Sequence, residues 1–315
     1  MLSNLWLPAA SRVHVSGRGM GNMSQKRQLF RSFEAKWNFL STQQAFHLAP
    51  VRTSLRLVSW RIRCLLEKAA IVDLRRWGVR MFLPPRWRGV AKLIYAFRDY
   101  YEPELAYLEK LLSPGKVFVD AGANFGIYTA MASKTVGEAG RVISFEPSVR
   151  AFPVLRQNIA INGFKNVRAF PLALTDKPGR AWLYHHSAVG SDALAKDSTF
   201  DPHAYAQEID TESLDNVLRR TRVERVDVIK MDVQGAEELA LRGANDTIIS
   251  MRPVIMFEFH PEGAISLGLE PHGAWNFLEG LGYDFFGIEQ QGRATRLLSP
   301  PVTIANVVAI HRSQG

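Results

Sequence analysis

The sequence predicts an α/β fold, in which helices cover a mostly parallel sheet whose last two strands are antiparallel. From residue 100 onward, short apolar runs alternate with amphipathic segments, which is typical of parallel strands joined by crossover helices. Hydrophobic residues make up 47% and charged residues 22% of the chain, as in ordinary folded proteins. Only residues 289–301 join the last two runs, and we interpret that connection as too short for a crossover helix.

Seven apolar runs are predicted to form the strands of this sheet. Their bounds are 117–120, 141–146, 167–172, 226–232, 253–259, 283–288 and 302–310. The segments between them are predicted to be helical. Their bounds are 127–135, 150–162, 213–220, 236–249 in two pieces around Gly243, and 274–281. Asn162 and Gly163 are residue types that commonly end a helix.

The chain before residue 100 differs from the rest in charge. Residues 1–100 hold 18 Lys and Arg against 4 Asp and Glu, whereas the remainder holds 21 against 26. Residues 1–45 are predicted to be a flexible basic segment, residues 46–99 a helical or mixed appendage, and residues 100–315 the main domain. A basic region can contact an anionic membrane, glycan or nucleic acid, or it can simply be solvated. The sequence leaves these interpretations open.

Cysteine usage and hydropathy narrow the class of protein. Cys64 is the single cysteine, which excludes an intrachain disulfide and a thiolate metal cluster and favours a reducing cytoplasm. Arginines interrupt even the most apolar segment, 55–72, so no run approaches the ~20 apolar residues that cross a bilayer. We therefore expect a cytoplasmic protein without a transmembrane segment or a bound metal, and peripheral membrane contact through the basic region remains possible.

The strongest candidate for a ligand site follows the first strand, where residues 120–126 are Asp-Ala-Gly-Ala-Asn-Phe-Gly and lead into a helix. Gly122 and Gly126 allow unusual φ values and close approach of a ligand. Asp120 offers a carboxylate to a cationic amino group, and the N–H groups of the next helix face the ligand crevice. The glycine spacing is not that of a dinucleotide-binding turn. A purely structural tight turn is the alternative.

Two later strand ends are predicted to meet at the same edge of the sheet. Glu146 ends the second strand, where a carboxylate can accept hydrogen bonds from both ribose hydroxyls of an adenosine. An exposed glutamate without a function is the alternative for Glu146 alone. Leu174 follows the third strand, at the position where apolar atoms would enclose an adenine.

Acid–base candidates follow the fourth and fifth strands. Strand alternation places Lys230 and Asp232 on one face, where they could pair, and the alternative is a structural salt bridge. His260 follows the fifth strand, and an imidazole with a pKa of about 6.5 can act as a general base. A hydrogen-bonded loop histidine is the alternative for His260.

Taken in this order, the segments resemble the FkbM family of methyltransferases over residues 98–311. The resemblance is carried by Tyr101-Glu102-Pro103, by segments 117–126, 145–147 and 229–237, and by Arg252-Pro253 with Glu258. It implies a Rossmann-like, seven-stranded methyltransferase sheet with S-adenosyl-L-methionine as cofactor. The residues that the resemblance assigns to this cofactor are Asp120, Gly122, Asn124, Gly126 and Glu146.

The resemblance also implies O-methylation, because understood members commonly methylate hydroxyls of sugars, polyketides or other small molecules. One position departs from the family, since Gln234 stands where a Glu is usual. If that carboxylate bound substrate or metal, its role is lost or has passed to Asp232 or Glu237. We expect Asp232 or His260 to accept the proton of the methylated hydroxyl.

Three other functions are weighed against this prediction. The basic region favours an RNA methyltransferase, but the sequence lacks an Asn/Asp-Pro-Pro-Tyr-like motif and an interleaved aromatic and basic platform for RNA. A methyltransferase-fold binding protein without activity is a second alternative, and the intact cofactor motif argues against it. A dehydrogenase is the weakest, because the glycine spacing is wrong.

Overall fold

The computed structural model describes residues 37, 39–85, 89–185, 192–195, 205–289 and 292–314. The helices are α1 (Gln44–Leu48), α2 (Pro50–Leu65), α3 (Val90–Phe97), α4 (Pro103–Leu111), α5 (Ile127–Val136), α6 (Phe152–Ile161), α7 (Leu214–Thr221), α8 (Glu237–Arg242), α9 (Asn245–Met251), α10 (Pro261–Ser266) and α11 (Gly273–Gly280). The strands are β1 (Ala70–Leu74), β2 (Val79–Leu83), β3 (Val117–Ala121), β4 (Arg141–Phe145), β5 (Val167–Phe170), β6 (Ala173–Leu174), β7 (Gly179–His185), β8 (Asp192–Ala195), β9 (Tyr205–Glu212), β10 (Val228–Met231), β11 (Val254–Phe259), β12 (Tyr283–Glu289), β13 (Arg293–Leu297) and β14 (Ala305–His311).

The main sheet has the strand order β13-β12-β14-β11-β10-β3-β4-β5. The five strands from β11 to β5 in that order run parallel, and β14 pairs antiparallel with both β11 and β12. This confirms the α/β class and the antiparallel arrangement of the last two predicted strands. The sheet also has an eighth strand, β13, inside the segment 289–301 that was predicted to be a loop. Most side chains of β13 are exposed, so no apolar alternation marked it in the sequence.

The strands between β5 and β10 in sequence form a smaller sheet with the order β6-β9-β7-β8. The third predicted strand, 167–172, ends earlier than expected, at Phe170. The chain then forms β6, which pairs with β9 instead of continuing along β4. Leu174 therefore belongs to the smaller sheet.

The predicted helices are present, with ends shifted by a few residues at most. The predicted break at Gly243 is confirmed between α8 and α9, and packing requires a glycine at this position. A Cβ on Gly243 would lie 1.9 Å from the carbonyl oxygen of Thr175. The helix α4 was not predicted. Pro103 is its first residue.

Strand alternation divides the apolar side chains between the two faces of the main sheet. Phe118, Val228 and Met256 face one buried core, which also contains side chains of α5. Val119, Ile229 and Ile255 face the other, which contains side chains of α7 and α8. The sheet is thus buried on both faces, as its continuous apolar strands predict.

The elements before residue 100 pack into the first of these cores. Trp60 of α2, Leu74 of β1 and Met81 of β2 are buried in the same cluster as Phe118. The segment 46–99 is mixed in structure, since α2 and α3 flank an antiparallel β1–β2 hairpin. Most of the segment 1–45, predicted to be flexible, lies outside the described residues, and the division into three parts stays a prediction. In the described part of the chain, no helix combines the length and apolar character that crossing a membrane requires.

Candidate active site

Three parallel strands bring the predicted site residues together at one edge of the sheet. β3 lies between β10 and β4, and the register sets Asp120 level with Lys230 on one side and with Ser144 on the other. Because parallel strands end at the same edge, the residues that follow them converge there.

Asp120 is fully buried at the end of β3. Its Oδ2 accepts a hydrogen bond from the hydroxyl of Thr129 at 2.6 Å, and that hydroxyl is also 2.7 Å from Oγ of Ser144. Its Oδ1 is buried with no hydrogen-bond partner among the described residues. Burial raises the pKa of Asp120, and the charge of Lys230 opposes that rise. An unsatisfied buried acceptor is costly. A donor from a bound molecule would satisfy it, and that contact requires this oxygen to face the site.

Glu146 connects the turn after β3 to the end of β4. Its Oε2 accepts the backbone N–H of Asn124 at 2.6 Å, and its Oε1 accepts that of Ser148 at 2.9 Å. Each carboxylate oxygen can accept more than one hydrogen bond. The side-chain Oδ1 of Asn124 is also buried without a partner among the described residues.

The two glycines of this turn have positive φ values, 78° at Gly122 and 81° at Gly126. The atoms that lie close to these glycines are atoms of the protein itself. A Cβ on Gly122 would lie 2.0 Å from the carbonyl oxygen of Asp232, and one on Gly126 would lie 2.4 Å from Cδ1 of Leu155. Both glycines are therefore required by packing, and their contact with a cofactor stays a prediction.

Leu174 is 1% exposed and lies in the same apolar core as Phe145. Contact with an adenine would require part of this side chain to face the crevice. The assignment of Leu174 to the cofactor stays a prediction, and its present environment is that of a core residue.

Lys230 is the cation around which the carboxylates of the site are arranged. Its Nζ lies 3.4 Å from Oδ2 of Asp232, which confirms the pairing that alternation predicts, and 4.5 Å from the ring centroid of Tyr128. Burial by itself lowers the pKa of Lys230, but Asp232 and Asp120 outweigh it, and the pKa is raised. Lys230 therefore stays charged and acts as a counterion.

Gln234 joins two carboxyl groups through its amide. Its Nε2 donates to Oδ1 of Asp232 at 2.8 Å and to Oε2 of Glu258 at 2.8 Å. Burial, followed by the charge of Asp232, raises the pKa of Glu258 well above its ordinary value. The Asp232 side chain is 40% exposed. Asp232 is thus an accessible carboxylate whose two oxygens are oriented by Lys230 and Gln234.

Glu237 does not replace the carboxylate that the family usually carries at position 234. Its oxygens accept the backbone N–H groups of Val233 at 3.1 Å and Gly235 at 2.9 Å. Burial raises the pKa of Glu237 to about 7. Its contacts are those of a residue that stabilises the loop after β10.

His260 is the N-cap of α10, where its Nδ1 accepts the backbone N–H of Gly263 at 2.8 Å. Burial lowers the pKa of His260, which favours the neutral ring. A neutral imidazole that accepts at Nδ1 carries its proton on Nε2. It cannot take another proton without losing the cap, so the geometry favours Asp232 over His260 as proton acceptor.

A second group of polar residues at this site was missed from the sequence. The hydroxyl of Tyr128 donates to Oε2 of Glu102 at 2.5 Å. Burial, followed by the charge of Glu104, raises the pKa of Glu102 to about 7. Glu102 was noted only as part of a motif. The signal that was missed is that Pro103 starts a helix, which brings this carboxyl group close enough to Lys230 for the two charges to interact.

The sheet order, in which β14 lies antiparallel between β11 and β12 at the side of five parallel strands, defines the fold of this protein as that of a Rossmann-like methyltransferase. The model of the Methyltransferase FkbM domain matches residues 120–285, more than half of the chain. The chain therefore belongs to the FkbM methyltransferase family, which confirms the resemblance found in the sequence.

Among curated proteins, the chain is similar to methyltransferase sdnD of Sordaria araneosa, with 27% identity over 46% of this chain and 67% of that protein. It is also similar to the 2-O-methyltransferase NoeI of Sinorhizobium fredii (strain NBRC 101917 / NGR234), with 29% identity over 56% of this chain and 76% of that protein. Among solved structures, the FkbM methyltransferase of Methylobacillus flagellatus KT is 15% identical, with a TM-score of 0.40 over 93% of this chain and 72% of that one.

The donor and acceptor groups at the site fit S-adenosyl-L-methionine. This cofactor presents an ammonium group and two ribose hydroxyls, all of which donate hydrogen bonds. The turn after β3 presents two buried acceptors without described partners, Asp120 Oδ1 and Asn124 Oδ1. Glu146 adds a carboxylate that bonds the backbone of the same turn at Asn124.

Proposed function

We propose that this methyltransferase transfers a methyl group from S-adenosyl-L-methionine to a hydroxyl of a sugar, glycan or other small molecule. The observation that carries the proposal is the placement of Asp232. Its carboxylate is 40% exposed, and its backbone N–H donates to the carbonyl of Ala121 at 3.0 Å, beside the predicted cofactor turn. A hydroxyl acceptor needs a base, and the base must lie within hydrogen-bond reach of that hydroxyl.

The residues of the site have separate roles in this reaction. The bound cofactor supplies an electrophilic methyl group. Asp120 and Asn124 hold its cationic amino acid part, and Glu146 holds its ribose. Asp232 receives the hydroxyl proton, while Lys230 and Gln234 keep the carboxylate oriented. Alignment of the two reacting groups contributes most to such a displacement.

Two observations support a small hydroxyl acceptor. The catalytic part of the chain is mildly acidic, with 26 Asp and Glu against 21 Lys and Arg after residue 100, which disfavours a polyanion such as RNA at the site. The relative NoeI is named a 2-O-methyltransferase, and this supports oxygen as the methylated atom. The acceptor itself is the remaining unknown.

The test uses three variants of the purified protein, together with isotope-labelled cofactor and a set of sugars, glycans and extracted metabolites. Asp120→Ala should abolish cofactor binding in calorimetry. Asp232→Asn should keep that binding, because its side chain can still accept from Gln234, but it should lower turnover by roughly 10²-fold or more, the usual contribution of a general base.

His260→Asn is the matched control, since asparagine is also a good N-cap. It should keep both cofactor binding and turnover. Normal turnover by Asp232→Asn would reject Asp232 as the base, and a loss confined to His260→Asn would transfer that role to the histidine. Labelling of RNA instead of hydroxyl compounds, or of nothing at all, would favour the RNA methyltransferase or the inactive binding protein.

A further inference from the structure

Helix α2 exposes a row of apolar side chains on its outer face. Val51, Leu55, Val58, Ile62 and Leu65, here called the apolar stripe, are between 51% and 75% exposed. Their spacing of three and four residues places them on one face of a helix with 3.6 residues per turn. The opposite face packs into the protein, and a surface row of this length is unusual on a soluble domain unless something binds it.

Arginines border the apolar stripe on both sides. At 3.6 residues per turn, Arg52, Arg56 and Arg63 lie along one edge of the stripe and Arg61 lies along the other. Arg56 and Arg63 are half-buried and donate to the backbone carbonyls of Ala96 and Ala69, whereas Arg52 and Arg61 are exposed. The helix Pro50–Leu65 contains no acidic residue. An apolar face between two basic edges is the pattern of helices that lie in the plane of a membrane surface, where the long arginine side chains reach the lipid headgroups.

A cavity of about 290 Å³ lies at the amino-terminal end of this helix. Four arginines line it, with two acidic residues, Asp73 and Asp99. The arginines are Arg52, Arg56, Arg75 and Arg98. The Nε of Arg98 is buried and has no hydrogen-bond partner among the described residues.

The charge in this cavity is not balanced. Burial, and then the charge of Arg52, lowers the pKa of Arg56, and burial followed by Arg56 lowers that of Arg98. Asp99 opposes both shifts, but the lining of the cavity still holds four arginines against two aspartates. A phosphate would supply negative charge, and guanidinium groups bind phosphate well because their N–H groups match its oxygens.

We propose that α2 docks on a membrane that contains anionic phospholipids, with the apolar stripe turned toward the lipid and the arginine-lined cavity holding a headgroup phosphate. A second copy of the chain fits this surface poorly, because pairing α2 with itself would bring arginines together. A nucleic acid would meet the arginines but would leave the apolar stripe in water. A membrane of negative surface charge satisfies both parts.

The docking is separate from methyl transfer and is tested without it. The full chain is floated with vesicles of phosphatidylcholine alone and of equal parts phosphatidylcholine and phosphatidylglycerol. Leu55→Ser/Val58→Ser removes the centre of the stripe without opening a cavity, since both side chains are exposed. Arg52→Gln/Arg61→Gln removes charge from both edges.

The unaltered protein should float with the phosphatidylglycerol vesicles and remain unbound with phosphatidylcholine alone, and binding should weaken as salt is added. Each double variant should lower the bound fraction at least tenfold, with an unchanged circular dichroism spectrum. Leu298→Ser/Val302→Ser is the matched control, because these apolar side chains are 90% and 94% exposed on another part of the chain. It should bind as the unaltered protein does.

Three results would overturn the proposal. The first is no flotation of the unaltered protein with phosphatidylglycerol vesicles. The second is equal flotation of either double variant or equal loss in the control. The third is a dimer in light scattering that the Leu55→Ser/Val58→Ser variant abolishes, which would assign the stripe to a contact between copies.

Discussion

Lys230 lies among carboxylates that belong to different parts of the chain. Asp120 comes from β3, Asp232 follows β10, and Glu102 precedes α4, and each of them raises the pKa of Lys230. One buried cation therefore interacts both with Asp120, a predicted cofactor residue, and with Asp232, the predicted base. A buried charge cluster of this kind is sensitive to the loss of any member, because the remaining charges stay desolvated.

Glu102 gives this cluster a pH dependence. Its pKa is about 7 in the folded protein, against an ordinary 4.5. The folded state therefore holds a proton that the unfolded state releases, and the stability that it contributes is present below pH 4.5 and is lost as the pH rises through 7. We expect the free energy of unfolding to fall over this range, and Glu102→Gln to show a smaller fall in urea titrations.

The exposed Glu270→Gln is the control and should keep the slope of the unaltered protein. Equal slopes in the Glu102→Gln variant and the unaltered protein would contradict the raised pKa. The contribution of Glu237, whose pKa is also about 7, remains in both variants.

Individual site residues could be predicted where the chain itself fixes their direction. Strand alternation placed Lys230 beside Asp232, and the end of β3 placed Asp120 at the edge of the sheet where β4 and β10 also end. The amide of Gln234 could not be predicted in the same way, because its second partner, Glu258, lies on another strand. The cap made by His260 agrees with the alternative of a hydrogen-bonded loop histidine. Its partner, the N–H of Gly263, could not be predicted, because that contact depends on how the chain turns into α10.

At the scale of elements, the site depends on the contact between two loops at the edge of the sheet. The turn after β3 passes so close to the loop after β10 that Gly122 leaves no room for a side chain against the carbonyl of Asp232. This contact holds the predicted cofactor residues beside the predicted base.

Replacing Gly122 by alanine tests that contact. Gly122→Ala should displace the Asp232 loop, weaken cofactor binding in calorimetry and lower turnover. Gly115→Ala is the matched control, because Gly115 also has a positive φ, 85°, but has nothing within 4 Å of an added Cβ. The control should show only the conformational cost of about 1–3 kcal/mol for a non-glycine residue in this region. Equal effects of the two changes on cofactor binding would mean that the loop contact is unimportant.

The elements of the main sheet could be predicted because each strand is an apolar run of suitable length between turn-forming residues. β13 could not, since it lies at the sheet edge with exposed side chains and is defined by pairing with β12. The departure of β6 into the smaller sheet likewise depends on the position of β9, which is about thirty residues away in sequence.

At the scale of the whole molecule, one apolar core extends from the segment before residue 100 into the methyltransferase sheet. Met81 of the β1–β2 hairpin is fully buried in the cluster that contains Phe118 and Met131. The side chain of Asn158 on α6 also bonds both backbone groups of Phe82. The hairpin and the sheet should therefore unfold together.

Met81→Ala tests this coupling. We expect a loss of about 2–5 kcal/mol in the free energy of unfolding, as for other large-to-small changes in a core. Tryptophan fluorescence and far-ultraviolet circular dichroism should show coincident transitions in both the variant and the unaltered protein. Separate transitions, with only the first shifted by the substitution, would mean that the segment before residue 100 folds as an independent unit.

The sequence by itself determined the class of sheet, the segments that form its principal strands, the family, and the segments from which the site is built. These features are local, because apolar periodicity, turn residues and strand ends are all properties of short stretches of chain. The tertiary structure decided which side chains meet: Lys230 among three carboxylates, Gln234 between Asp232 and Glu258, and an apolar stripe left uncovered on α2. Such contacts join residues far apart in sequence, and their distances follow only from how helices and strands pack.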